Sequence, residues 1–140
     1  MSYLIDTNVV SELVRQQPHT AVLDWFAATP DDALYLSALT LGEIRKGVEK
    51  LTYATRREKL RVWLEHDLRH WFGPHILPVG AEVADRWGRL LAQMGRPVPV
   101  VDSLLAATAL HHGLRLVTRN VRDFDYPGLE VINPWDAAAA

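Results

Sequence analysis

Four polar clusters in this chain place carboxylates or amides at predicted strand ends and helix starts. Their sequences are LIDTN at 4–8, LGE at 41–43, VVDSLLAAT at 100–108 and TRNVRDF at 118–124. Asp6 and Asn120 each follow an apolar run, so both are expected just past the carboxyl end of a strand. Glu43 and Asp102 are expected to begin helices. Because the carboxyl ends of parallel strands border one ligand-binding crevice, the four clusters are predicted to converge there.

Each acidic residue also has an ordinary structural explanation when it is considered alone. Thr40 and Glu43 have the spacing of a capping box at a helix start. Asp102 would be favoured in the first turn of its helix by the helix dipole. Asp6 could cap the helix that follows it, and Asp123 could stabilise a turn. None of these roles explains why the residues should meet at one edge of a sheet.

Convergence of carboxylates has an electrostatic cost that favours a bound cation. Two like charges about 4 Å apart repel by ~1 kcal/mol in water and by ~4 kcal/mol at an effective dielectric near 20. The chain contains no cysteine, so any metal must be held by oxygen or histidine. Carboxylates suit Mg²⁺ or Mn²⁺, and such an ion could activate water to hydrolyse a phosphodiester.

Length and composition favour one ordinary globular domain. The chain has 140 residues, of which 49% are hydrophobic and 23% charged. We predict a single domain over 1–136 and a frayed tail over 137–140. No apolar run is long enough to cross a membrane and the first residues do not form a signal sequence, so a cytoplasmic protein is expected.

The charge of −2 is unevenly distributed along the chain. The segment 45–61 carries seven basic residues and only two acidic ones. On composition alone, a solvated helix face is the better interpretation of this segment. Beside an acidic crevice, the same segment could hold phosphates.

The alternation of apolar patterns predicts a mostly parallel sheet covered on both faces, which is a three-layer α/β/α fold. The predicted strands lie at about 2–6, 34–36, 76–77, 115–118 and 130–132. The predicted helices lie at about 8–16, 19–28, 40–52, 55–71, 80–94 and 102–112. His111 and His112 precede Gly113 at the end of a helix, so we interpret both as structural.

Five segments carry a resemblance to a known family over nearly the whole chain. They are LIDTNVVSEL, LSALTLGEIRKGV, VPVVDSLLAATALHHGL, TRNVRDF and VINPW, in this order. The chain resembles PIN-domain ribonucleases, specifically the VapC toxins of type II toxin–antitoxin pairs and their FitB-like relatives. The resemblance implies the α/β/α fold of a PIN domain and a Mg²⁺- or Mn²⁺-dependent endoribonuclease.

The resemblance also implies site residues and partners. Three carboxylates match the acidic metal-site residues of the family by position: Asp6, Glu43 and Asp102. Many relatives have aspartate in place of Asn120, so Asn120 and Asp123 are both candidates for the fourth catalytic position. Three neighbours are expected to orient these groups: Thr7, Asn8 and Thr118. The implied partners are RNA, a cognate VapB/FitA-like antitoxin and a second copy of the chain. The second copy would form a homodimer through helices 40–52 and 55–71, and a larger toxin–antitoxin assembly is also open.

Two alternatives remain open at the level of sequence. A phosphatase of the haloacid dehalogenase type also begins with a strand-end aspartate, but it needs a second aspartate where Asn8 stands. A catalytically degenerate PIN domain would bind antitoxin or RNA without cleaving it. Asn120 keeps that alternative open, whereas the intact Asp6, Glu43 and Asp102 argue against it.

Overall fold

A five-stranded parallel sheet forms the centre of the protein in a computed structural model that describes residues 1–136. The tail predicted over 137–140 lies outside the described residues. The strands are β1 (Tyr3–Ile5), β2 (Leu34–Ser37), β3 (Ile76–Leu77), β4 (Arg115–Val117) and β5 (Val131–Ile132). Their order is β3-β2-β1-β4-β5, and every pair is parallel. The order reverses at β1, so the ligand crevice of such a sheet lies at its carboxyl end.

Helices pack on both faces of the sheet. They are α1 (Thr7–Glu12), α2 (Thr20–Ala27), α3 (Ala38–Glu49), α4 (Ala54–Val62), α5 (Arg69–Phe72), α6 (Ala81–Met94) and α7 (Val100–His112). A π-helical segment, Trp63–Leu68, joins α4 to α5. Among residues 1–136, no helix is long and apolar enough to cross a membrane.

Alternating strand residues supply two separate hydrophobic cores. Ile5 and Val117 point into the core beneath α1 to α5, whereas Leu4 and Leu116 point into the core beneath α6 and α7. This alternation follows from the two-residue repeat of a β-strand. The predicted three-layer α/β/α architecture is confirmed.

The start of α3 differs from the prediction. Ser37, the last residue of β2, caps the helix because its hydroxyl accepts a hydrogen bond from the Leu39 amide at 3.1 Å. Strand β2 and helix α3 are thus joined without a loop. The prediction of a capping box formed by Thr40 and Glu43 is wrong. Thr40 is buried inside the first turn and Glu43 lies in the second turn. The start of α7 agrees better, because Asp102 lies in its first turn as predicted.

Helix α1 is shorter than predicted and ends at Glu12. The buried Glu12 carboxylate accepts hydrogen bonds from the His19 amide at 2.9 Å and from Arg15 Nη1 at 3.2 Å. Burial raises the pKa of Glu12, but these two donors outweigh burial and hold it below its ordinary value. The carboxylate therefore fixes the reversal of the chain into α2, where the apolar pattern alone suggested further helix.

Two arginines of the basic segment 45–61 are occupied with local ion pairs. Arg45 pairs with Glu49 at 3.1 Å and with Glu65 at 2.8 Å, and Arg61 pairs with Glu49 at 2.5 Å. Hydrogen bonds from Arg61 and then Arg45 hold the pKa of Glu49 at about 2. The arginines of this segment therefore tie α3 to α4 and the π-helical segment, which favours the structural interpretation over phosphate binding.

Candidate active site

Asp6 lies at the centre of the crevice, one residue beyond the carboxyl end of β1. Its backbone amide donates to the Val117 carbonyl at 2.9 Å, which continues the pairing of β1 with β4. That pairing brings Thr118, the residue after β4, beside Asp6. Asp6 is also the N-cap of α1, as its strand-end position predicted.

Three donors hold the Asp6 carboxylate in place. The Thr7 amide donates to Oδ1 at 2.8 Å, the Thr118 hydroxyl donates to Oδ2 at 2.8 Å, and Asn8 Nδ2 donates to Oδ2 at 3.4 Å. Only 7% of Asp6 is exposed. Burial raises the pKa of Asp6, the bonds from Thr118 and Thr7 oppose that rise, and the Glu43 charge adds to it. The site thus keeps a buried carboxylate at an electrostatic cost.

Thr118 and Asn8 connect the loops after β1 and β4. The Thr118 hydroxyl, which donates to Asp6, accepts hydrogen bonds from the Asn120 amide at 3.1 Å and from Asn8 Nδ2 at 3.3 Å. Asn8 Oδ1 accepts from the Arg119 amide at 3.1 Å. These contacts join the two loops and place Thr118 and Asn8 against the Asp6 carboxylate.

Replacing Thr118 by valine should lower the free energy of unfolding by about 1–3 kcal/mol. Valine has a similar shape but leaves Asp6 Oδ2 without its strongest donor and the Asn120 amide without its acceptor. Urea titration followed by circular dichroism would measure the change. Thr108→Val is the matched control, since the buried Thr108 hydroxyl only donates to the Leu104 carbonyl of its own helix, at 2.7 Å. Equal losses in the two variants would contradict the role of Thr118.

Glu43 is linked to Asp6 through Thr7. The Thr7 hydroxyl donates to Glu43 Oε1 at 2.8 Å, while the Thr7 amide donates to Asp6. Although Glu43 does not begin α3, β2 runs directly into this helix, so its second turn still lies above the sheet edge. Glu43 is exposed, so its carboxylate is open to solvent and to a ligand.

Asp102 and Asp123 complete a group of four carboxylates. Asp102 is half-buried in the first turn of α7. Its pKa is raised by burial first and then by the charges of Asp6, Asp123 and Glu43. Asp123 also raises the pKa of Asp6, so Asp123 supplies the fourth negative charge. Asn120 is exposed and takes part through its backbone amide, which donates to Thr118.

The carboxylates of this group remain without a cationic partner within residues 1–136. None of the four forms an ion pair with lysine, arginine or histidine in that part of the chain. Nor do any three histidine, aspartate or glutamate side chains of the described residues form a group that could by itself hold a metal ion. The crevice is therefore an open, all-oxygen site with uncompensated negative charge.

A parallel sheet between two layers of helices, with an acidic crevice where the strand order reverses, agrees with a known protein family that this chain matches. The family described as PIN domain matches residues 3–127. The chain belongs to the PIN-domain family.

Individual relatives span nearly the full length of the chain. Plasmid stability protein StbB of Pseudomonas syringae pv. tomato is 38% identical over 96% of this chain and 99% of its own length. VapC ribonuclease Y4jK of Sinorhizobium fredii is 36% identical over 96% of this chain and 99% of its own length. Toxin FitB of Neisseria gonorrhoeae is 34% identical over 94% of this chain and 97% of its own length.

Solved structures show the same fold. The crystal structure of FitAcB from Neisseria gonorrhoeae contains a chain that superimposes with a TM-score of 0.89 at 34% identity, covering 95% of this chain and 98% of that one. A toxin–antitoxin complex from Klebsiella pneumoniae matches with a TM-score of 0.70 at 26% identity, again covering 95% and 98%. The predicted fold and family are confirmed.

Proposed function

We propose that this chain is a divalent-metal-dependent endoribonuclease that acts as the toxin of a toxin–antitoxin pair. The observation that carries the proposal is the group of four carboxylates without a cationic partner at the switch point of the sheet. Its similarity to a VapC ribonuclease and to Toxin FitB supports RNA as the substrate. Membership of the PIN-domain family removes the haloacid dehalogenase alternative.

The donor set fits Mg²⁺ or Mn²⁺. Mg²⁺ binds oxygen, keeps several waters and needs only one or two protein carboxylates, so an incomplete cage is compatible with it. Asp6, Glu43 and Asp102 would hold the ion, one or two of them directly and the rest through its retained waters, and Asp123 would act directly or through water. When bound, the ion would neutralise charge on the phosphodiester and make water a stronger nucleophile.

The protein residues would position these groups. Without a counter-ion, the four carboxylates would repel an RNA phosphate, so cation binding and RNA binding are coupled at this crevice. Thr118 and the Thr7 amide fix Asp6, and the Thr7 hydroxyl fixes Glu43. Asp102 and Asp123 border the same space from α7 and the loop after β4, where a carboxylate could take the proton of the attacking water.

Cleavage of total RNA by the purified, antitoxin-free protein tests the proposed activity. We expect fragments with Mg²⁺ or Mn²⁺ and intact RNA with EDTA, because the carboxylates alone cannot stabilise the negative charge. A folded protein that binds RNA but leaves it intact with either metal would establish the degenerate, binding-only alternative.

We also propose a groove beside the site as the binding place of the antitoxin. This groove lies between α1, α3 and α4 and has a volume of about 270 Å³. Thr7 and Glu43 lie among its lining residues, which are mostly apolar and include Ile44, Val48 and Trp63. An apolar segment of the antitoxin that occupies this groove would end next to the carboxylates. Inhibition would then follow from obstruction of the RNA path.

Filling the groove should weaken antitoxin binding. Gly47 lines the groove, and a Cβ built there meets no atom within 4 Å, so Gly47→Leu should fold normally. We expect its affinity for the cognate antitoxin to fall about tenfold or more, as measured by calorimetry, because the leucine occupies the space of an apolar contact. The control is Gly88→Leu on α6, where a Cβ also meets nothing within 4 Å. Unchanged affinity in Gly47→Leu would place the antitoxin elsewhere.

A further inference from the structure

Arg119 and Trp135 form a cation–π pair at the rim of the acidic crevice. The Arg119 guanidinium carbon lies over the Trp135 ring, 4.9 Å from its centroid. Arg119 directly follows Thr118, which donates to Asp6, and its side chain is exposed. A cation is therefore held by the residue that follows a contact of Asp6, and within residues 1–136 it forms no ion pair with the site carboxylates.

Two backbone contacts fix the positions of this pair. The Arg119 amide donates to Asn8 Oδ1 at 3.1 Å, which anchors the start of the loop after β4. The Trp135 amide donates to Asn133 Oδ1 at 2.9 Å in the turn after β5. The Thr118 amide joins the two loops by donating to the Ile132 carbonyl at 2.9 Å. The ring packs against the hydrophobic core and therefore gives Arg119 a firm support.

The Arg119 guanidinium is not paired with a carboxylate among the described residues. Within residues 1–136, Arg119 makes no salt bridge. The Arg119 charge contributes to lowering the pKa of Glu12, but the Glu12 carboxylate accepts its hydrogen bonds from Arg15 and the His19 amide. Contact with a ring face leaves the N–H donors of a guanidinium available, and these donors match the geometry of phosphate.

We infer that Arg119, positioned by Trp135, binds a backbone phosphate of the RNA that flanks the cleaved bond. This inference rests on the proposed nuclease function and adds a residue for substrate binding. A phosphate is favoured over a base because the guanidinium is exposed and Arg119 directly follows Thr118, which contacts Asp6 in the proposed phosphodiester site. Stacking on the ring keeps the cation at the rim, where it attracts RNA without neutralising the carboxylates.

The salt dependence of RNA binding tests this role. The probe is a labelled, mixed-sequence, single-stranded oligoribonucleotide, titrated with the intact protein at several KCl concentrations and one fixed Ca²⁺ concentration, since Ca²⁺ binds carboxylate oxygens and compensates their charge. One lost phosphate contact should reduce the slope of log K against log salt by about 0.7. We expect Arg119→Ala to show this reduction and about fivefold weaker binding at low salt. Arg119→Lys should keep the slope, because it keeps the charge.

Further variants separate a specific contact from a general charge effect. Arg89→Ala removes another exposed arginine, on α6, whose salt bridge within residues 1–136 is with Asp85 at 3.1 Å, and should leave the slope unchanged. Trp135→Leu should weaken binding in the same direction as Arg119→Ala, with folding checked by circular dichroism. Equal slopes for Arg119→Ala and Arg89→Ala would overturn the inference. Cleavage of RNA by the unaltered protein with Mg²⁺, measured in parallel, shows whether the proposed function stands independently, and absence of any RNA binding would overturn both.

Discussion

Asp6→Asn should reduce the rate of RNA cleavage by about a thousandfold, which corresponds to ~4 kcal/mol of lost transition-state stabilisation. Asparagine keeps an oxygen that can accept a hydrogen bond from the Thr7 amide, but it cannot supply the negative charge that holds the cation. Initial rates of RNA cleavage with Mg²⁺, read from denaturing gels, would measure the loss.

The stability of this variant distinguishes a chemical effect from unfolding. Asparagine removes a buried charge but disturbs the bond from Thr118, so we expect the free energy of unfolding to change by no more than about 1 kcal/mol. Asp85→Asn is the matched control, because Asp85 is an exposed carboxylate on α6, and its side chain is 66% exposed. Near-normal cleavage by folded Asp6→Asn would remove Asp6 from the site.

Asp102→Asn should lower cleavage by about a hundredfold and at the same time stabilise the metal-free protein. The pKa of Asp102 is raised above its ordinary value of 3.8 by burial and by the three other carboxylates. The folded protein therefore binds this proton more tightly than the unfolded chain does, and the ionised form costs stability once the pH exceeds that value. Because Asp102 is partly exposed, we expect a gain of at most about 1 kcal/mol at pH 7.

The pH and Mg²⁺ dependence of unfolding would check both parts of this prediction. Without metal, the gain in Asp102→Asn should disappear as the pH falls below 3.8, where aspartate is protonated in both states. With Mg²⁺ at about 100 times its dissociation constant, the unaltered protein should gain ~2.7 kcal/mol and the variant much less. If Mg²⁺ stabilised both proteins equally, Asp102 would not belong to the metal site.

The sequence predicted the fold and the convergence of the acidic clusters because both depend on repeating local patterns. The strand-end positions of Asp6 and Thr118 follow from apolar runs, and parallel pairing then brings them together. Asp102 falls in the first turn of α7 because the preceding proline ends the connection there. The order of the five motif segments identified the family.

Errors arose where a buried polar side chain decides where a helix begins or ends. The end of α1 depends on the contacts of Glu12 with Arg15 and the His19 amide, which no helical pattern reveals. The start of α3 depends on Ser37, which belongs to a strand and also caps the helix. In both places, a buried polar contact decides the helix boundary against the helical spacing of the apolar residues.

The contacts that refine the site also join distant segments. The sequence left Asn120 and Asp123 as candidates for one position, and both stay candidates: the Asp123 charge acts on Asp6 and Asp102, whereas the Asn120 amide donates to Thr118. The pair of Arg119 and Trp135 could not be foreseen, since a lone arginine near a motif is usually a surface charge. The homodimer expected through helices 40–52 and 55–71 stays a prediction.

The most direct test of the acidic crevice as a nuclease centre is the rate of RNA cleavage as a function of Mg²⁺ concentration, for the unaltered protein and Asp6→Asn together. We predict that the rate of the unaltered protein rises to a plateau with Mg²⁺ and returns to zero with EDTA. Folded Asp6→Asn should stay near the background rate at every concentration. Equal Mg²⁺-dependent rates in the two proteins would contradict the assignment of the reaction to this crevice.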